Sequence, residues 1–284
     1  MPLRMSTVRY KTSWAVTGRL RRALVILLTT VVLCGCGTLP NGHRWGQDAF
    51  TPIDLDRISR AAHDAFFNLN TLAPLTGALV FAVDDFDERA SDWAFKHTPI
   101  FGSPLDARDA SDDLKAALEA EAVITAILTP SGDTFDEWII SKGKGAAVEL
   151  LAAGATDNVT SWLKSGTDRT RPDETGDRSL PSAHASEAFS FATLSNRNLD
   201  SIRMPSGLRP AIKAGNLVLA AGVAWARVEA QRHYPSDVLA GAALGHFLTA
   251  FIHDAFLNLP EDQDVDFAFF PLDGGAGIEL AFRF

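Results

Sequence analysis

From Asp54 onward the sequence is a series of segments in which apolar residues recur at helical spacing. Alanine and leucine dominate them, and both residues favour helices, whereas the alternation typical of strands is rare. One segment has Ser111 and acidic residues at its start, as expected of a helix N-terminus. The pattern predicts a mainly α fold, with residues 53–284 as a single domain. The predicted helices are DLDRISRAAHDAFFN, ASDDLKAALEAEAVITAIL, GKGAAVELLAAGATDNVTSWLK, SEAFSFATLSN, PAIKAGNLVLAAGVAWARVEAQ and SDVLAGAALGHFLTAFIHDAF.

The C-terminal residues follow a different pattern. A glycine-rich turn precedes an alternation of apolar residues at Ile278, Leu280, Phe282 and Phe284, which is the strand period. We therefore expect a short β-hairpin at the end of the helical domain.

The first 35 residues have the features of an export signal. Basic residues and no acidic residue precede an apolar run, Ala23–Leu33, which is too short for a bilayer core that needs about 20 residues. The run ends in LCGC, which resembles the lipobox of bacterial lipoproteins. That resemblance implies cleavage after Gly35 and a lipid on Cys36. It places the protein on the periplasmic side of the bacterial envelope, anchored by lipid, in the outer membrane.

The processed chain would be acidic and free of disulfides. Residues 36–52 contain proline, glycine and polar residues and are expected to form a tether. Cys34 and Cys36 are the two cysteines of the sequence, and both lie at the expected cleavage point. Removal of the signal takes six of the 26 basic residues and no acidic one, so the formal net charge falls from −9 to −15. Such a charge argues against a nucleic-acid partner.

Two apolar segments resemble membrane spans in composition but not in length. The apolar parts Leu217–Ala226 and Val238–Ile252 are both too short to cross a bilayer. The small residues of the second segment, among them Gly241 and Gly245, instead predict close helix packing in a core.

Three polar clusters in the C-terminal half combine groups that bind oxyanions. The first, KSGTDRTRP, contains Lys164 and Arg171, a point charge and a planar fork that both suit phosphate. The second, PSAHAS, places Ser182 at a predicted helix start, where backbone N–H groups favour an anion. Ser182 and His184 could also be a nucleophile and its base, but side chains two apart on a helix diverge.

The third cluster, ARVEAQRHYPSDVLAG, contains Arg227, His233 and Asp237. A carboxylate bonded to one imidazole nitrogen fixes the tautomer and leaves the other nitrogen free to attack. This cluster therefore contains a candidate nucleophile.

Together the clusters resemble the signature of the type-2 phosphatidic acid phosphatase and vanadium haloperoxidase superfamily, K-x6-R-P, P-S-G-H and S-R-x5-H-x3-D. The resemblance covers about residues 164–237 and implies a helical bundle of that family's type. Ala183 stands in place of the glycine, which keeps the N–H donor and adds a methyl group, and Ala226 stands in place of the serine. The phosphate-binding residues that the resemblance implies are Lys164, Arg171, Ser182, Ala183 and Arg227.

The resemblance also implies catalytic roles. His233 would attack phosphorus and form a phosphohistidine, and Asp237 would orient its ring. His184 would protonate the leaving oxygen and then activate water. No metal is required, because three cations supply the positive charge.

These roles favour a metal-independent phosphatase that hydrolyses phosphomonoesters or diphosphates. Its partner would be a phosphorylated small molecule or a lipid head group. One alternative is a haloperoxidase, in which the same cluster holds vanadate as a cofactor. A second alternative is a non-catalytic binding or structural lipoprotein of the envelope.

Overall fold

The computed structural model describes residues 35–52, 54–205, 207–257, 259, 265–272 and 275–282. The predicted signal peptide lies outside these residues except for Gly35. The described residues form a mainly helical fold, which confirms the predicted class. The helices are α1 (Leu55–Phe67), α2 (Leu69–Phe81), α3 (Phe86–His97), α4 (Pro104–Leu128), α5 (Phe135–Thr167), α6 (Ala183–Ser201), α7 (Leu208–Glu229) and α8 (Pro235–Leu257).

Several helix starts differ from those expected from the sequence. α4 begins at Pro104, after the cap residue Ser103, and not at Ser111. Proline is favoured in the first turn of a helix and serine at its cap, so the helix extends further upstream. α5 begins with a capping box in which Thr134 and Glu137 bond reciprocally to backbone N–H groups. The helices α2 and α3 were not expected.

The helix α8 is central to the bundle, because it packs against α1, α2, α5 and α6. Glycines allow its close approach to α6. A Cβ placed on Gly241 would lie 2.5 Å from the carbonyl oxygen of Ser182, and one on Gly245 would overlap the carbonyl oxygen of Ser186. The small residues of this segment therefore have the packing role that the sequence predicts. The approach also joins the two helix starts, since Ser182 N donates to Asp237 O at 2.9 Å.

The segment expected to be a free tether is packed on the bundle instead. Leu39, Trp45 and Ala49 are buried, and Trp45 joins a core cluster formed with α4, α5, α6 and α8. The Trp45 ring lies against Gly145 of α5, which has no side chain to exclude it. Composition predicted a linker because the segment is short and polar. A single large aromatic side chain in a glycine gap was enough to fix it in place.

This N-terminal segment docks where α4 ends and α5 begins. Trp45 N donates to the carbonyl of Pro130 in the α4–α5 connection, and Phe50 N donates to that of Phe256 near the end of α8. The polar clusters lie at the other end of the same helices, with Lys164 near the end of α5 and Asp237 in the first turn of α8. The docked segment and the polar clusters therefore occupy opposite ends of the bundle.

By length and composition, α7 and α8 could cross a membrane, so the expectation that both apolar segments are too short was wrong. The helices contain 22 and 23 residues, with mean hydropathy of 1.2 and 1.3. Each helix continues beyond its apolar part into less apolar residues, and these residues were not counted in the predicted length of the span. Core helices meet the same criterion, and the packing around α8 is that of a core helix.

The described backbone near the C-terminus forms two antiparallel strands, β1 (Val265–Leu272) and β2 (Gly275–Phe282). Val265 pairs with Phe282 and Leu272 with Gly275. Packing of the expected hairpin against the helices stays a prediction, because the side chains of these strands lie outside the described ones.

Two glycines of α5 provide a matched test of the docked segment. We expect Gly145→Ala to destabilise the protein by about 1–3 kcal/mol, because the new methyl group overlaps the Trp45 ring. Gly143→Ala has open space around the added Cβ, and alanine should stabilise the helix by up to about 1 kcal/mol. Urea unfolding measures both changes. Equal stability of the two variants would contradict the docking of Trp45.

Candidate active site

The three polar clusters meet at one end of the bundle, where several helices begin or end. Lys164 comes from the last turn of α5, His184 from the first turn of α6 and Arg227 from the last turn of α7. His233 lies in the connection to α8, and Asp237 lies in the first turn of that helix. Residues that are up to 73 positions apart in the sequence are therefore brought together by the ends of four helices.

His233 is buried and held in one tautomer. Its Nδ1 lies 2.8 Å from the carbonyl oxygen of Ser179. A carbonyl oxygen can only accept, so Nδ1 donates and Nε2 keeps its lone pair. Burial lowers the pKa of His233 well below 6.5, and the charges of Lys164, Arg227 and Arg171 lower this pKa further. The ring is therefore neutral near pH 7, as a nucleophile must be.

Asp237 does not hold the His233 ring directly, in contrast to the expected contact. Asp237 Oδ2 is 3.9 Å from His233 Nδ1, beyond hydrogen-bonding distance. The same oxygen instead accepts from Ser179 Oγ at 2.5 Å and from Tyr234 N at 2.9 Å. The carboxylate thus positions the ring through Ser179, whose hydroxyl bonds Asp237 and whose carbonyl bonds His233. Spacing along α8 could not show this intermediate residue.

Arg169 is a second partner of Asp237 that sequence reasoning missed. Its Nη1 donates to Asp237 Oδ1 at 2.7 Å, and its Nη2 donates to Asp87 Oδ2 at 2.8 Å. The guanidinium also lies over the Tyr234 ring at 4.4 Å. Burial raises the pKa of Asp237, and the charge of Arg169 lowers this pKa. Arg169 lies inside the first basic cluster, and this position could have indicated its role. Asp87 belongs to α3, a helix that the sequence did not predict.

Asp87 extends this network from α3 to the start of α8. Its Oδ1 accepts from Ser236 N at 2.9 Å, and Ser236 Oγ also bonds its carboxylate. Asp87 is buried, at 2% exposure, so its charge depends on Arg169 for compensation. The network fixes the start of α8, and with it Asp237, relative to α3.

The three expected phosphate-binding cations are close enough to repel one another. Burial, together with the charge of Arg171, lowers the pKa of Lys164 to about 8. Burial and the charges of Arg232 and Arg171 lower that of Arg227 to about 10. Burial and the charge of Arg232 also lower the pKa of Arg171. Within the described residues, Nε of both Arg171 and Arg227 is buried without a hydrogen-bond partner. Unpaired buried donors of this kind suit an anion.

The start of α6 supplies further donors. Ser182 is the cap residue, and its Oγ accepts from Ala185 N at 3.5 Å, so this hydroxyl is already part of the cap. Ala183 is the first helical residue, and its backbone is not among the positive-φ positions, so alanine causes no strain there. The N–H groups of Ala183 and His184 have no partner within the helix, because they lie in its first turn and no helical carbonyl group precedes them by a full turn. They can bind an anion.

His184 is partly exposed and has a charged partner. Its Nε2 lies 2.8 Å from Asp112 Oδ1, which belongs to α4. The pKa of His184 is lowered overall by burial and by the charge of Arg227, and the hydrogen bond to Asp112 offsets part of this lowering. Asp112 was expected in the N-terminal turn of a helix, but it lies in the third turn of α4 and contacts His184.

The arrangement can bind a tetrahedral oxyanion and offers it both a nucleophile and a proton donor. Lys164, Arg171 and Arg227 supply charge-assisted donors, and His233 supplies a neutral imidazole with a free Nε2. His184 can carry a proton because a carboxylate stabilises its charged form. Such a set suits transfer of a phosphoryl group.

One comparison, with protein-family models, is consistent with this chemistry. Residues 146–260 match the family model of the PAP2 superfamily, a match that is consistent with a phosphoric ester hydrolase. The first transmembrane PAP2 type phosphatidylglycerolphosphate phosphatase from Bacillus subtilis has a similar structure, with 19% identity and a TM-score of 0.47. The match covers 68% of this chain and 94% of that one. No curated protein matches this chain.

We expect the affinity for inorganic phosphate to fall as the pH rises through about 8, the pKa of Lys164. Below this pH the ammonium is charged and binds the anion, and above it the charge is lost. The loss should be about tenfold between neutral pH and pH 9.5, the typical effect of one charge-assisted hydrogen bond. Isothermal titration calorimetry across this range measures it.

The matched control for this test is Lys164→Arg, which keeps its charge throughout the range. The affinity of this variant should stay nearly constant up to pH 9.5. If the wild-type protein and the variant lose affinity in parallel, another group is responsible for the pH dependence.

Proposed function

We propose that this chain is a metal-independent phosphatase that hydrolyses phosphomonoesters or diphosphates through a phosphohistidine intermediate. The observation that carries the proposal is the neutral His233 imidazole, buried among three cations with its Nε2 lone pair free. A protein that only binds anions has no need of such a group, because an imidazole without a proton on Nε2 donates nothing to the anion. The free lone pair on Nε2 of neutral His233 is what a nucleophile requires.

In the first step His233 Nε2 forms a bond to phosphorus while the bond from phosphorus to the leaving oxygen breaks. The proton that the leaving oxygen acquires comes from His184. Lys164, Arg171 and Arg227, with the N–H groups at the start of α6, stabilise the charge on the remaining phosphoryl oxygens. The product of this step is a phosphohistidine and a free alcohol or phosphate.

In the second step water replaces the imidazole. Neutral His184 takes a proton from water, the water oxygen bonds to phosphorus, and the bond to Nε2 breaks. Inorganic phosphate leaves, His233 regains its lone pair and His184 regains its proton. Ser179, held by Asp237, keeps the His233 ring in place through both steps.

The substrate is a phosphorylated small molecule or the phosphorylated head group of a lipid. Cys36 is exposed, as a lipid attachment point in the periplasm must be, and the lipobox-like sequence around it supports an outer-membrane anchor.

Hydrolysis of p-nitrophenyl phosphate by the mature chain tests the proposal. Activity should persist in EDTA, and His233→Ala should reduce kcat by at least about a thousandfold, because the nucleophile is lost. The exposed His63, which lies outside the site, gives the matched control His63→Ala, with unchanged activity. Rapid quenching with a ³²P-labelled substrate should trap an acid-labile phosphoprotein in the wild type but not in His233→Ala.

Other outcomes point to the alternative functions. Full activity in His233→Ala would contradict the phosphohistidine mechanism. Halide oxidation with vanadate and peroxide, in the absence of phosphate ester hydrolysis, would instead identify a haloperoxidase. Phosphate binding without either reaction would identify a binding protein.

A further inference from the structure

We propose that Asp112 is the positioning residue of the proton donor: it holds His184 by Nε2 and keeps Nδ1 as the atom that protonates the leaving oxygen. This inference rests on the proposed phosphatase function. It adds a residue of α4, outside the three polar clusters and outside the segment that matches the PAP2 model, to the chemistry of the site.

The geometry of the pair determines which nitrogen is available. Asp112 Oδ1 lies 2.8 Å from His184 Nε2. The hydrogen bond to His184 is the largest cause of the lowered pKa of Asp112, so the carboxyl group is ionised and can only accept. Nε2 therefore donates, and any proton that His184 exchanges with substrate or water passes through Nδ1.

The two histidines of the site have partners of different charge. His233 is held by a neutral carbonyl, which raises the pKa of the ring only slightly, so that burial and the neighbouring cations keep this pKa well below 6.5. His184 is held by a carboxylate, which favours the imidazolium form. A nucleophile has to be neutral and a proton donor has to be charged, so each partner matches the role of the ring that it holds.

Without Asp112, the surroundings of His184 oppose protonation. Burial, Arg227 of α7 and Lys115 of α4 lower its pKa, and they outweigh Asp112 even when the pair is intact. Glu187, on α6, raises the pKa but also pairs with Lys115 at 2.5 Å, which reduces its effect on the ring. Asp112 is therefore the main group that offsets the two cations.

The solvent exposure of the Asp112–His184 pair differs from that of an ion pair that stabilises a fold. The Asp112 side chain is 58% exposed and that of His184 is 27% exposed, so the contact lies at the solvent boundary of the site. Exposed pairs contribute little to stability. Replacement of Asp112 should therefore leave the fold intact, and its effect should appear in the chemistry.

The test compares kcat/KM for two substrates in Asp112→Asn. An alkyl phosphate needs a proton on its leaving oxygen, whereas p-nitrophenolate leaves without one. We expect kcat/KM for the alkyl phosphate to fall at least about tenfold, with a much smaller change for p-nitrophenyl phosphate. Because kcat/KM reports steps up to phosphoryl transfer to the enzyme, slow hydrolysis of the phosphohistidine does not mask the effect.

Three further measurements complete the design. The neighbouring exposed Asp113 gives the matched control, since Asp113→Asn should change neither value. His184→Ala should show the same selective loss, and the double variant Asp112→Asn/His184→Ala should lose no more than His184→Ala alone. The alkaline limb of kcat/KM for the alkyl phosphate should move to lower pH in Asp112→Asn, because the pKa of His184 falls.

An equal loss for both substrates in Asp112→Asn, or full alkyl phosphate activity, would overturn the inference while leaving the phosphatase function intact. A wild-type protein that hydrolyses neither substrate would instead refute the proposed function itself. Recovery of alkyl phosphate hydrolysis in Asp112→Glu, which restores the carboxylate, would support the inference further.

Discussion

Mutual repulsion among buried cations is the constraint on which the rest of the site depends. Lys164 and Arg227 have pKa values of about 8 and about 10, because burial and neighbouring charge disfavour their protonated forms. Within the fold, carboxylates at the edges of the cluster offset part of this charge. A bound dianion lowers the remaining repulsion. The unfavourable free energy of placing the cations together therefore favours the binding of phosphate.

The same positive charge governs the histidine between the cations. It disfavours a second proton on His233 and so keeps the imidazole neutral, while the carbonyl of Ser179 selects the tautomer. Asp237 adds negative charge nearby, but its charge is shared with Arg169 through an ion pair of 2.7 Å. Ser179 thus orients the nucleophile while favouring its protonated form less than a directly bonded carboxylate would.

The sequence was sufficient to predict the helical fold, because periodicity is a local property, and the resemblance to the phosphatase superfamily indicated which residues meet at the site. It was not sufficient for contacts that depend on packing. The Arg169–Asp87 pair joins residues 82 positions apart, and no spacing rule relates them. Asp112 seemed to belong to a helix start because acidic residues are common there. Trp45 seemed to belong to a tether because the gap that it fills is visible only in three dimensions.

The docked N-terminal segment determines how far the active site lies from any anchor on Cys36. A free linker of 16 residues would have a root-mean-square reach of roughly 20 Å and would let the domain turn in all directions. With Trp45 fixed against Gly145, the segment no longer has this reach or this freedom of orientation. α5 then acts as a rigid spacer, since the 19 residues between Gly145 and Lys164 span roughly 28 Å at 1.5 Å per residue. A lipid on Cys36 would therefore be attached at the end of the bundle opposite the catalytic residues, not beside them.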